Sequence, residues 1–207
     1  MNDILVTRKT TESNISVRLD FSGIASDYRK RINTGILFLD HMIEQLVWRS
    51  EITIDTSVSL DRFHLSHVIC EDLGITMGKA FLKAVRDNLD NGIAGYGFGV
   101  GIIDEAKASA AISFEERAYL DFDDHGVAIP QTVEGMASED LITFLDGFVQ
   151  GARCTLHLDL DKGQNGHHIW EAAFRSFGIC LKEAMTLVAS RKSRTSGVAG
   201  KIEFTIK

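Results

Sequence analysis

Two stretches of the chain carry residue types that can hold a metal ion or move a proton. His167, His168 and Glu171 stand in the order His-His-x-x-Glu, and His67 and Glu71 repeat its outer pair in the first half of the sequence. At about 100° per helical residue, positions 167 and 171 share one face, while 168 is turned about 100° away. Two imidazoles and a carboxylate suit a borderline divalent ion such as Mn, Fe or Zn. Adjacent histidines splayed in this way would serve two different ions rather than grip one. So short a pattern is also what a polar helix face looks like, and its return in the same frame at His67 and Glu71 argues against that reading. His41, on the preceding helical pattern, is expected to turn toward the centre formed by His67 and Glu71. His64 shares a face with them at i, i+3, i+7 and is either a further ligand or a solvated loop histidine. His125 and His157 carry no such pattern, and His157 reads as an outward-facing strand position.

These side chains need elements to hold them, and the sequence shows an internal repeat. Leu39–Ile54 lies without a gap over Leu141–Leu156, matching Leu39/Leu141, Met42/Phe144, Ile43/Leu145, Leu46/Phe148, Val47/Val149, Ile52/Cys154 and Ile54/Leu156 in apolar character. The first part of each segment has helical spacing and the second alternates as a strand does. After a loop, His67-Val-Ile-Cys-Glu lies over His167-His-Ile-Trp-Glu, each opening a long helical pattern. A strand-rich stretch precedes each unit, Ser13–Phe21 in one half and Ser109–Phe122 in the other. The expectation is an α+β fold of two duplicated β-α-β-α halves, residues 1–90 and 91–207, in one compact unit with a sheet packed on one layer of helices. The Gly/Asn-rich segment from Asn88 to Gly99 reads as the junction.

The 207 residues are 44% hydrophobic and 25% charged, enough apolar material for a core and too much for a disordered chain. No apolar run approaches the roughly 18–20 residues of a membrane span, and the first residues show no secretory pattern, so a cytoplasmic protein is expected. A net charge of −7 disfavours nucleic acid as a partner. Cys70, Cys154 and Cys180 form no CxxC pair and read as buried free thiols. The basic cluster Arg191-Lys192-Ser193-Arg194 is either a solvated helix end or an anion site.

Longer motifs then narrow the field. Thr34-Gly-Ile-Leu-Phe-Leu-Asp-His-Met-Ile-Glu-Gln-Leu resembles the TGIxFLDHMLxQL segment of the imidazoleglycerol-phosphate dehydratase family, hydro-lyases of histidine biosynthesis. In the same order, the segment from Arg8 to Val17, Glu71-Asp-Leu-Gly, Asp104-Glu-Ala, Arg117-Ala-Tyr-Leu-Asp-Phe-Asp, Thr155-Leu-His-Leu and Gly163-Gln-Asn-Gly-His-His-Ile-Trp-Glu-Ala resemble its further blocks, covering most of the chain. The resemblance implies elimination of water from an imidazole-bearing phosphate, assisted by one or two Mn²⁺ per subunit. It implies His41, His67, Glu71, His167, His168 and Glu171 as metal ligands, with Glu71 and Glu171 also as candidate proton-transfer groups. Glu12 and Arg117 would contact the substrate; Arg191, Lys192, Arg194 and Lys201 are the basic residues whose chemistry suits its phosphate. It also implies a large homo-oligomer, about 24 copies with shared sites, and no membrane partner.

The chain departs from that family pattern where the chemistry lies. Val68 replaces the second histidine of the first-half motif, and ungapped counting puts Thr143 where a second-half counterpart of His41 belongs. The C-terminal PS(S/T)KG loop is not readable in Arg194–Lys201, and Gly126–Gly135 holds no basic residue. If Val68 and Thr143 face the same ion, one of two metals is lost. The alternatives are then a divergent paralogue acting on another small molecule, or a non-catalytic shell protein.

Overall fold

The computed structural model describes residues 1–62, 64–203 and 205. In chain order it contains β1 (Ile4–Lys9), β2 (Ser13–Asp20), α1 (Tyr28–Arg31), α2 (Leu37–Ser50), β3 (Thr53–Leu60) and α3 (Ser66–Asp87). There follow β4 (Tyr96–Ile103), β5 (Ala106–Ser113), β6 (Tyr119–Asp123), β7 (Thr132–Val133), β8 (Met136–Ala137), α4 (Ser138–Ala152), β9 (Thr155–Lys162) and α5 (Gly166–Ala184). One sheet runs β1-β2-β3, all antiparallel; the other runs β4-β5-β9-β6, with β6 parallel to β9.

The repeat is visible element by element. α2 ends at Glu51 and α4 at Arg153, both in the left-handed region at φ 59° and 49°, and each donates its N–H to the carbonyl of the valine four residues back. The chain is thereby turned through Ile52 and Cys154 into β3 and β9. The frame that relates α2 to α4 also relates β3 to β9. It slips by two residues only in the loop before α3, which is longer than the one before α5.

Each sheet packs on its own helices, α2 and α3 for the first and α4 and α5 for the second. The two helix layers then meet face to face, α3 on α4 and α2 on α5. The order is sheet, helices, helices, sheet. Alternation explains the inner face of β2, where Ile15, Val17 and Leu19 are fully buried and Asn14 and Arg18 are exposed. Both helix pairs run parallel. Gly74 and Gly78 of α3 lie against the backbone at Phe144, Phe148 and Ala152, while Gly147 and Gly151 of α4 lie against Glu71 and Ile75. In α2 and α5, Gly178 meets Gln45, Leu46 and Arg49.

Two expectations need correction. The β-α-β-α core is present in each half with additions: β1 and the short α1 in the first, and β4, β6, β7 and β8 in the second. Further, the Asn88–Gly99 junction ends earlier than expected, because Tyr96-Gly-Phe-Gly begins β4. Glycine normally weakens a strand, yet Gly97, Gly99 and Gly101 point at α5, where a Cβ would stand 2.0–2.5 Å from the carbonyl oxygens of Cys180, Ser176 and Ala172. These glycines let the helix lie directly on the strand, and the alternate residues Tyr96, Phe98 and Ile102 face outward. All three cysteines are free and buried, and burial pushes their thiols up, Cys180 to about 12. Among the described residues no helix is long and apolar enough to cross a membrane.

Candidate metal centre

Thr34 begins the placement of His41. Its backbone N–H and hydroxyl both donate to Asp40 Oδ1, at 2.8 and 2.7 Å, which fixes the first turn of α2 one residue before the histidine. Burial pushes the Asp40 carboxyl up, and these two hydrogen bonds oppose the shift. On the other side, Asn165 caps α5, its side-chain oxygen accepting from His167 N at 2.9 Å and His168 N at 3.4 Å. Glu105, in the β4–β5 turn, accepts from Asn165 N at 2.9 Å and Gln164 N at 3.2 Å, so the cap is itself held.

With both helix starts fixed, three donors converge across the α2–α5 contact. His41 Nε2 is 3.8 Å and His167 Nε2 3.5 Å from Glu171 Oε2, and the three atoms lie within 4.8 Å of one another. Donors held about 2.1 Å from a single ion stand roughly 3.4 Å apart, so the set closes on a metal with little movement. Each imidazole turns its Nδ1 to a carboxylate, His41 to Glu44 at 3.4 Å and His167 to Glu134 at 3.2 Å. That pattern presents Nε2 to an ion and is the usual support of a metal-binding histidine. Glu171 is 6% exposed. Its Oε1 is bound by Arg175, which also donates to Gln45 Oε1 at 3.1 Å and to the Ile102 carbonyl at 2.7 Å. Only Oε2 is left facing the imidazoles. Two imidazoles, a single carboxylate oxygen and no sulfur describe a site for a borderline divalent ion.

The other expected residues fall elsewhere. The His168 ring stands at 89° to that of His167, and its Nδ1 meets Glu105 Oε2 at 2.9 Å, so the adjacent histidines do point apart. Backbone donation from Asn165 and then the His168 contact hold the Glu105 carboxyl down at about 2, and the Glu105 bond pushes the His168 imidazole up. His41 joins the second-half pair, not His67 and Glu71 as expected, because α2 packs on α5 rather than on α3. His67 is 64% exposed and 3.9 Å from Asp140, Glu71 is exposed, and Thr143 donates to the Glu139 carbonyl of its own helix. His64 precedes α3 and lies over Gly35, so it does not share a helical face with His67.

Glu12 sits exposed in the β1–β2 turn, beside a cavity of about 250 Å³. Arg117 is exposed just before β6. Arg191 lies over the Tyr96 ring at 5.0 Å, Lys192 follows it on the surface, and Lys201 pairs with Glu203. Tyr96 is at the start of β4 and Ile102, beside Arg175, is near its end, so the basic cluster stands about 20 Å along the strand from the three converging donors. Sequence reasoning missed Glu44, Glu134, Gln45 and Arg175. Spacing offered Glu44 at i+3 from His41 and Arg175 at i+4 from Glu171; nothing local points to Glu134, which arrives on the β7–β8 turn. Asp123 at the end of β6, His125 just beyond it and the half-buried Asp159 in the middle of β9 form another group of possible ligands.

A duplicated α+β fold with a His-His-Glu centre built between its halves defines a class of small metal-site proteins, and comparison narrows the class to one family. The sequence profile of imidazoleglycerol-phosphate dehydratase matches residues 34–181. The chain is 37% identical over 193 residues to the imidazoleglycerol-phosphate dehydratase of Caldicellulosiruptor saccharolyticus, covering 93% of this chain and 96% of that one. The corresponding protein of Ralstonia pickettii is 38% identical over 183 residues, 88% of this chain and 89% of its own. Among solved structures, the enzyme from Pyrococcus furiosus superposes with a TM-score of 0.77 at 30% identity, covering 95% of this chain and 99% of that one. That from Staphylococcus aureus gives 0.74 at 26%, covering 89% and 100%. The chain belongs to the imidazoleglycerol-phosphate dehydratase family, whose members are carbon–oxygen lyases.

Proposed function

We propose that the chain is a working imidazoleglycerol-phosphate dehydratase of histidine biosynthesis, cytoplasmic and Mn²⁺-dependent. The observation that carries this reading is the convergence of His41, His167 and Glu171 at 3.5–3.8 Å, in a chain that belongs to this family. These three residues would hold the ion, which when bound supplies an electron-withdrawing contact to the substrate imidazole. Glu44 and Glu134 keep the two imidazoles in the tautomer with Nε2 free. Arg175 holds one oxygen of Glu171 and so keeps the other directed at the centre. A carboxylate must take the carbon-bound proton, and the C–H electron pair becomes the new C=C bond as the C–O bond breaks. The protonated carboxyl must return its proton to the departing oxygen, so that it leaves as water. Glu71 and Glu12, both exposed, are the candidates for that transfer, whereas Glu171 is already committed on both oxygens.

The substrate phosphate is assigned to Arg191, Lys192 and Lys201, with Arg117 as a further contact. The Arg191–Lys192 cluster, about 20 Å from the three donors within one chain, lies beyond the reach of a small phosphorylated imidazole. The assignment therefore requires a second copy, which supports a homo-oligomer with shared sites. The departures at Val68, Thr143 and the C-terminal segment also suit a repurposed paralogue, but similarity over about nine-tenths of each relative favours the dehydratase. The test is turnover of imidazoleglycerol phosphate by Mn²⁺-loaded protein. Wild type should turn over, and H41A and E171Q should lose at least 100-fold in kcat/KM. A wild type without turnover would overturn the proposal.

A further inference from the structure

The two helix pairs are related by the internal repeat, and comparing them residue by residue exposes an asymmetry. Against His41, His167 and Glu171 of the α2–α5 pair, the α4–α3 pair sets Thr143, His67 and Glu71. The parallel register confirms that these are structural counterparts. Gly147 of α4 meets Glu71 as Gln45 of α2 meets Arg175 one turn along, and Asp140, three residues before Thr143, reaches Ser66 and His67.

We propose that this chain binds one divalent ion, through His41, His167 and Glu171, and none at the repeat-related position of Thr143, His67 and Glu71. Four observations separate the two positions. The imidazole of α2 is replaced on α4 by a neutral hydroxyl whose proton goes to the Glu139 carbonyl at 3.0 Å. The carboxylate of Glu171 is buried with one oxygen facing the two imidazoles in one pair, while in the other Glu71 is exposed. α5 starts on an Asn165 cap that aims His167, whereas α3 starts at Leu65 with no side-chain cap. Among the described residues, finally, His67 Nδ1 makes no hydrogen bond that would hold its tautomer, and Asp140 stands 3.9 Å from it.

The vacated position has a structural use instead. Asp140 is 5% exposed and accepts the Ser66 hydroxyl at 2.6 Å, so it ties the first residue of α3 to the first turn of α4. Glycines at 74, 78, 147 and 151 bring these two helices into backbone contact. In the α2–α5 pair the counterparts of 147 and 151 are Gln45 and Arg49, with side chains between the helices. One pair is built for close packing, the other for an open polar centre.

The inference rests on the proposed function only for the choice of Mn²⁺ as the probe. The experiment is a metal count by plasma mass spectrometry on full-length wild type, H41A and H67A, each reconstituted with Mn²⁺, gel-filtered and checked by circular dichroism. The expected counts are one per chain for wild type, one for H67A and near zero for H41A. Two ions per wild-type chain, no ion, or loss of the ion in H67A would overturn the inference. If H41A does not fold, the wild-type and H67A counts decide it. Turnover, measured in parallel, separates the two ideas: one ion without turnover removes the dehydratase reading alone, and two ions with turnover remove this inference alone.

Discussion

Arg175 and a bound metal ion compete for the same negative charge, and the competition can be measured with Arg175→Met. The substitution keeps most of the apolar stem and removes the partner of Glu171, whose side chain is 8% exposed against 20% for Arg175. Removing one member of a fully buried pair costs about 3–5 kcal/mol, and of a surface pair about 1 kcal/mol or less. The partial exposure of Arg175 places the cost to metal-free protein at about 2–3 kcal/mol. With Mn²⁺ bound, the ion neutralises Glu171, and the remaining cost is the lost bonds to Gln45 and the Ile102 carbonyl, about 1 kcal/mol. The thermodynamic cycle then requires R175M to bind Mn²⁺ more tightly than wild type by about 1–2 kcal/mol, roughly 10-fold. Urea unfolding in EDTA and in saturating Mn²⁺, followed through the buried Trp170, reads the two stabilities, and calorimetric titration reads the affinity. An equal loss of stability in both conditions, or weaker binding by the variant, would refute this account of Arg175.

Three further outcomes are expected. Gly78→Ala would set a Cβ 2.2 Å from the Phe148 carbonyl oxygen and 2.6 Å from the Ala152 nitrogen. Neither backbone atom can yield cheaply, so despite a helix-propensity gain of about 1 kcal/mol the variant should lose about 2 kcal/mol net in urea unfolding; a neutral result would contradict the close α3–α4 packing. Glu44→Ala and Glu134→Ala should each weaken Mn²⁺ binding by about 10–100-fold in an electron paramagnetic titration, with unchanged affinity counting against their orienting role. The His168–Glu105 contact is made by a raised imidazole and a lowered carboxylate. Its contribution is therefore fully present between the ordinary values of 4.5 for the carboxyl and 6.5 for the imidazole, and is lost as pH climbs from the latter through the raised His168 value or falls from the former through about 2. In Glu105→Gln the His168 ring resonance of metal-free protein should titrate at lower pH than in wild type, and an unmoved midpoint would deny that Glu105 causes the shift.

The helices and the inner strands were legible because burial imposes a period, and the repeat doubled the signal: Leu39–Ile54 and Leu141–Leu156 do form the same helix–strand unit. β4 was hidden by its glycines, whose reason lies in α5, some 70 residues away. Within the centre, His167 and Glu171 were readable from local spacing. His41 was readable as a metal-site residue but not as their partner, since helix packing across the repeat has no trace in either segment alone. Glu134 and the separation of the basic cluster from the three donors depend on long-range placement of the β7–β8 turn and of β4, which no local pattern encodes.

The crossed pairing of the helices bears on the order in which the molecule can be made. α2 leaves the ribosome well before its partner α5, with α3, α4 and the strands β3 to β9 emerging between them. α3 likewise waits for α4. The face of α2 that meets α5, with Leu46 against Gly178, therefore stays uncovered until α5 has followed. Contacts so distant in sequence form slowly, and an exposed nascent face of this kind invites association with other chains. Docking of α5 on α2 is in that sense a late step of folding, and it is also the step that brings His167 and Glu171 to His41.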